Sequence, residues 1–107
     1  MEVSAWTNGQ GYYGIKVKGA DRERYFERSW NSVEIELDNR IVQPRLSPSF
    51  WKRCRELRGK EIGGWLKEKA LIPWPEGKPP RFDLLPLSGN RFRLTEHPAA
   101  ARAEAST

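Results

Sequence analysis

Residues 33–37 read Val-Glu-Ile-Glu-Leu, apolar and acidic in strict alternation. A period of two puts Val33, Ile35 and Leu37 on one face of a strand and Glu34 and Glu36 on the other. Any fold for this chain must therefore supply a sheet buried on one side and wet on the other.

Other segments repeat the pattern. Val3 to Trp6 reads as a short strand, and Asn8-Gly9 supplies the positive-φ geometry of a hairpin turn. Tyr12 to Lys18 returns, with Tyr13, Ile15 and Val17 on one face and Tyr12, Lys16 and Lys18 on the other. After a turn at Gly19-Ala20-Asp21, the stretch Arg22 to Trp30 fits neither period cleanly, and its aromatics favour a strand. Asp38-Asn39-Arg40 turns the chain into Ile41–Leu46, where Pro44 indicates an edge position. Arg81 to Leu87 and Arg91 to Leu94 form a last hairpin around Ser88-Gly89-Asn90, with Phe82, Leu84, Phe92 and Leu94 inward.

Two helices are predicted in the middle. Ser47-Pro48 has the character of an N-cap and first helical residue, the helix runs to about Arg58, and Gly59 stops it. A weaker helix runs from Lys60 to about Ala70 across Gly63-Gly64, each glycine lowering its propensity by roughly 1 kcal/mol. Pro73-Trp74-Pro75 through Pro79-Pro80 reads as an extended loop. The expected fold is α+β: a single small domain, an antiparallel sheet of about five to six strands, and two short central helices on one face or end. That domain spans residues 1–95, and residues 96–107, rich in alanine, form a flexible tail.

At 107 residues the chain has room for one core, and five Trp, four Phe and three Tyr exclude compositional disorder. Cys54 is the single cysteine, which excludes an internal disulfide and fits a reducing compartment. The start, Met1-Glu2-Val3-Ser4, lacks the basic and apolar regions of a signal peptide. No stretch approaches the ~20 apolar residues of a membrane span. These features lead to the expectation of a cytoplasmic protein without membrane contact.

The charge is concentrated. Arg40, Arg45, Lys52, Arg53, Arg55, Arg58 and Lys60 face one acid, Glu56, within residues 40–60. Clustered cations build a local potential that attracts polyanions. On the predicted helix Phe50, Cys54 and Leu57 share a face, and Arg55 and Arg58 flank Trp51. An indole between guanidinium groups can stack a base while Arg45, Arg53, Arg55, Arg58 and Lys60 hold phosphates. The competing reading makes Trp51 a core residue covered by arginine stems. Arg81, Arg91 and Arg93 form a second outward basic face, which Lys16 and Lys18 either join or oppose. Trp74, fixed between prolines, suits a partner or ligand contact, or else covers the core.

Catalytic signatures are weak. His97 is the single histidine and sits beyond the last hairpin, Cys54 lies on an apolar face without a histidine partner, and no Cys or His spacing suits a metal. Glu34 and Glu36 could hold Mg²⁺, but alternating glutamates are more often a wet strand face. No catalytic residue, metal site or cofactor is assigned. The leading expectation is a non-catalytic module that contacts nucleic acid through the basic helix. The alternatives are a homo-oligomer (a dimer or larger) that binds a small ligand or protein partner, and a small ribonuclease toxin.

Overall fold

The computed structural model describes residues 1–96. The chain opens with β1 (Glu2–Thr7) and β2 (Tyr13–Lys16), an antiparallel hairpin. Its turn is locked locally: Asn8 Oδ1 accepts the backbone N–H groups of Gln10 and Tyr12 at 2.8 and 3.3 Å. Gly9 and Gly11 take φ values of 80° and 83°, which only glycine adopts without strain.

Helix α1 (Gly19–Tyr25) comes next, where a turn followed by a strand was expected. Its seven residues bury none of their side chains, and the first inward residue is Phe26, just past the C-terminus. The aromatics that suggested a strand thus lie at and beyond the end of a charged surface helix. A helical turn also brings Arg22 over the segment that follows β4, where its Nη1 donates to Phe50 O at 3.0 Å.

β3 (Glu34–Leu37) and β4 (Arg40–Val42) form the expected hairpin, and Asp38 makes its turn at φ 53°. The predicted helix from Pro48 to Arg58 does not form. Pro48–Trp51 makes one 3-10 turn, Lys52 leaves helical geometry at φ −112° and ψ −92°, and Glu56–Arg58 becomes strand β5 paired to β2. Short isolated helices are marginal in water. Pairing with β2 buries Leu57 opposite Ile15, which a helix end on the surface would not do.

Helix α2 (Lys60–Glu68) matches its expected position and runs unbroken through Gly63-Gly64, burying Ile62, Trp65 and Leu66. Gly63 has a packing reason: a Cβ there would already touch the Tyr13 ring at 3.4 Å. After the proline-rich loop, β6 (Arg81–Pro86) and β7 (Arg91–Glu96) form the last hairpin. Glu96 pairs with Phe82 in this hairpin. The expected tail from residue 97 onward lies outside the described residues.

The strands make one seven-stranded sheet in the order β4-β3-β7-β6-β1-β2-β5. It is mixed and larger than the antiparallel sheet of five to six strands that was expected, because β3 runs parallel to β7. That register sets Glu34 opposite Arg91 and Glu36 opposite Arg93, and both pairs form ion contacts, at 3.1 and 3.3 Å. The sheet rolls until residues from both edge strands, Val42 and Arg58 among them, line a common groove. The inward side chains of all seven strands meet in one core with Phe50 and the apolar face of α2. Helix α2 closes one mouth of the roll, where the Trp65 ring lies 5.3 Å from Phe82. At the other mouth Phe26 stacks on Phe92 at 5.0 Å and meets Phe50 at 5.3 Å. No helix among the described residues is long and apolar enough to cross a membrane.

Candidate nucleic-acid interface

Loss of the long helix disperses the basic set read from residues 45–60. Arg45 and Arg58 line the groove between the sheet edges, together with Cys54. Arg53 is exposed. Arg55 is anchored, its Nε donating to Val17 O at 3.0 Å. Lys60 sits in a smaller hollow of about 240 Å³ with Lys67, over Gly63 and Gly64.

Trp51 does lie near two guanidinium groups, but they belong to other residues, Arg22 and Arg28, which share the Glu23 carboxylate. Arg28 is 4.6 Å and Arg22 5.8 Å from its ring, and Phe50 meets it edge-on at 5.3 Å. Arg22 holds the whole turn by donating to Phe50 O and, at 3.4 Å, to Lys52 O. This half-buried arrangement gives Trp51 a packing role. Trp74 is likewise half-buried and edge-on to Tyr13 at 5.9 Å, so it covers the core from the loop.

The second basic face also divides. Arg91 and Arg93 are taken up by Glu34 and Glu36 across the parallel register. Gln43 donates to Glu34 at 3.2 Å, and this bond, then Arg91, holds the Glu34 carboxyl below its ordinary value of 4.5. The two glutamates are thus bound to arginines.

Arg81 keeps different company. In β1 the alternation that buries Val3 and Ala5 turns Glu2, Ser4 and Trp6 to the outer face. Ser4 pairs with Arg81 of β6 on one side and with Lys16 of β2 on the other, making a cross-strand row. Lys18, just ahead of α1, and Lys78 from the proline-rich loop complete the walls of an open groove of about 640 Å³. Four cations line it against one carboxylate, Glu2, which lies 3.5 Å from Lys18 and 3.9 Å from Arg81. Among the described residues Lys16 and Lys78 form no ion pair. Asp83 lies opposite Glu2, one register step beyond the groove.

The next row of the same outer face is Trp6, Gly14 and Arg58. With no side chain at Gly14, the Arg58 guanidinium reaches across to within 4.8 Å of the Trp6 ring. Gly14 is required there: a Cβ would sit 2.5 Å from Leu57 O. The face therefore sets an aromatic ring beside a row of lysines and arginines. Such a set can hold anionic oxygens and stack a planar group.

Sequence reading placed Lys16 and Lys18 only conditionally with Arg81, and it assigned no role to Trp6 or Lys78. The signals were present, since Lys16 and Lys18 stand on the outer face of an alternating strand. What joins them to Arg81 is the β2-β1-β6 order, a long-range pairing with no local mark. The chain matches no family model, no curated protein and no solved structure.

Proposed function

We propose that this protein is a non-catalytic module that binds single-stranded nucleic acid across the outer face of β6, β1 and β2. One observation carries the reading: Lys16, Lys18, Lys78 and Arg81 converge on a single groove that holds one carboxylate. Cations gathered along a groove neutralise successive phosphates, and counterion release makes the resulting affinity strongly salt-dependent. The adjacent Trp6 ring, with Arg58 at 4.8 Å, favours a single strand, whose unstacked bases can lie on an aromatic face.

The test is fluorescence anisotropy with labelled single-stranded DNA, single-stranded RNA and duplex DNA over a range of salt. If all four cations contact phosphates, the log–log salt slope on a single strand is about −2.8, from about 0.7 per contact. Binding that is absent at low salt, or insensitive to salt, removes the proposal.

A homo-oligomer is a second reading, now supported by a different surface. Ile41, Leu85 and Leu87 are exposed at 51%, 43% and 40%. Ile41 and Leu85 end one cross-strand row with Glu36 and Arg93 between them. Leu85 and Leu87, two positions apart, are neighbours at the end of β6, and exposed apolar residues that lie together occur on association surfaces. Sedimentation velocity over a concentration series tests it, and a species that remains monomeric throughout rejects it.

A further inference from the structure

Strand order places β4 at one edge of the sheet and β5 at the other. Val42, Gln43 and Arg45 nevertheless line the same groove of about 360 Å³ as Glu56 and Arg58. The rolled sheet is thus a barrel left open along one seam, with an unpaired strand edge on each side of it.

Ladder parity decides which backbone groups face the seam. Beside β4, Val33 N–H donates to Pro44 O at 3.1 Å and Leu46 N–H to Asn31 O at 2.8 Å. Pro44 and Leu46 therefore address β3, and the N–H and C=O groups of Gln43 and Arg45 point away from it. On the other side, Val17 N–H donates to Arg55 O at 2.9 Å and Gly59 N–H to Tyr13 O at 3.4 Å. Glu56 and Arg58 accordingly point away from β2. Proline commonly blunts a sheet edge by removing a donor. Here the donor that Pro44 lacks would face β3, so the outward edge keeps its N–H groups.

We infer that this seam binds an extended peptide segment of a partner protein by strand addition. The segment inserts between Gln43–Arg45 and Glu56–Arg58, a contact length of about 10 Å at ~3.3 Å per residue. Through the strand order β4 and β5 run antiparallel to each other, so the added strand is antiparallel to one edge and parallel to the other. Val42 and Ile62, both buried, give its inward side chains an apolar floor.

Charge selects the occupant. Arg58 is engaged by Glu56 at 3.4 Å, whereas Arg45 and Glu61 line the groove without an ion pair among the described residues. A nucleic acid backbone would meet the carboxylates of Glu56 and Glu61. A peptide with an acidic side chain toward Arg45 and a basic one toward Glu61 complements both.

The test begins by panning a displayed random library of short linear peptides against the full chain. Enriched sequences are then synthesised and titrated by calorimetry, with each backbone amide N-methylated in turn. The expected peptides carry both signs of charge, and N-methylation at alternate positions weakens binding about tenfold or more while intervening positions tolerate it. Bound peptide slows hydrogen exchange at the amides of Gln43, Arg45, Glu56 and Arg58. Arg45→Glu lowers affinity for those peptides and raises it for versions with the facing acid replaced by lysine, which shows that the variant is folded. The inference is overturned if no peptide is enriched, if N-methylation is tolerated throughout, or if protection falls on Ser4 and Lys16 instead. Protection of the seam amides that grows with protein concentration alone also overturns it, since a second copy would then be the occupant.

Discussion

The indole N–H of Trp65 donates to Asp38 Oδ2 at 2.9 Å, which ties the helix across one mouth of the rolled sheet to the β3–β4 turn. Trp65 is 1% exposed, whereas the Asp38 side chain that accepts its N–H is 56% exposed, so water takes over part of this bond when the carboxylate is removed. A buried donor left without a partner costs about 1–3 kcal/mol. Asp38→Ala should lose about 1 kcal/mol, the low end of that range, in denaturant unfolding, while Asp38→Asn, which keeps an acceptor and tolerates the positive φ, should lose less.

The same carboxylate makes a pH prediction. The Trp65 hydrogen bond is the largest influence holding the Asp38 carboxyl below its ordinary value of 3.8, with Lys69 and Arg40 adding to it and partial desolvation opposing. A depressed folded-state pKa favours the charged form, so the contribution is fully present above the unfolded value and is lost as pH falls through the folded one. Unfolding midpoints measured downward from pH 5 should therefore drop more steeply below about pH 4 in the wild type than in Asp38→Asn. Parallel curves for the two proteins would show that Asp38 is not the group responsible.

The glycines separate by the space around them. A Cβ at Gly14 would lie 2.5 Å from Leu57 O, so Gly14→Ala forces β2 and β5 apart and should cost about 1–3 kcal/mol. Gly64, inside α2, has open space where a Cβ would sit, with nothing within 4 Å, so Gly64→Ala should stabilise by about 0.5–1 kcal/mol. Thermal unfolding of the two variants should shift in opposite directions.

Arg22 fixes the 3-10 turn that replaced the expected helix. Its side chain is only 12% exposed, it donates to Phe50 O at 3.0 Å, and it faces the Trp51 ring. Hydrogen bonds from a charged donor contribute about 1.5–3 kcal/mol, and Arg22→Ala should lose an amount in that range. Arg53→Ala, on the exposed part of the same segment, should change stability by less than about 0.5 kcal/mol.

What could be read in the sequence follows a division between local and long-range causes. The β1–β2 and β6–β7 hairpins, β3 and the site of α2 each have a nearby signal, in alternation, Asn-Gly or the Lys60–Ala70 pattern, whereas Gly59, expected to stop a helix, instead precedes one. β5 has none. Ser47-Pro48 does start a helical turn, but Leu57 is buried by pairing with Ile15 from a strand far away in the chain. The parallel β3–β7 register sets Ile35 with Phe92 and Leu37 with Leu94 inside and Glu34 and Glu36 with Arg91 and Arg93 outside, a match between distant segments that alternation alone cannot register. The binding face has the same character. Lys16 and Arg81 are 65 positions apart in number and are joined only through Ser4 between them.

That junction allows charge and stacking to be separated in one experiment. Lys16 and Lys78 line the outer groove without an ion pair among the described residues, so replacing either with glutamine removes a cation without releasing a partner carboxylate. Each of Lys16→Gln and Lys78→Gln should flatten the single-strand salt slope by about 0.7. Trp6→Ala removes the ring beneath Arg58 and no charge, so it should weaken binding by about 1–3 kcal/mol and leave the slope unchanged. Arg53→Gln removes an exposed cation outside the groove and should leave both affinity and slope near wild type. If Arg53→Gln flattens the slope as much as Lys16→Gln, the nucleic acid follows the β5 side of the molecule rather than the face of β6, β1 and β2.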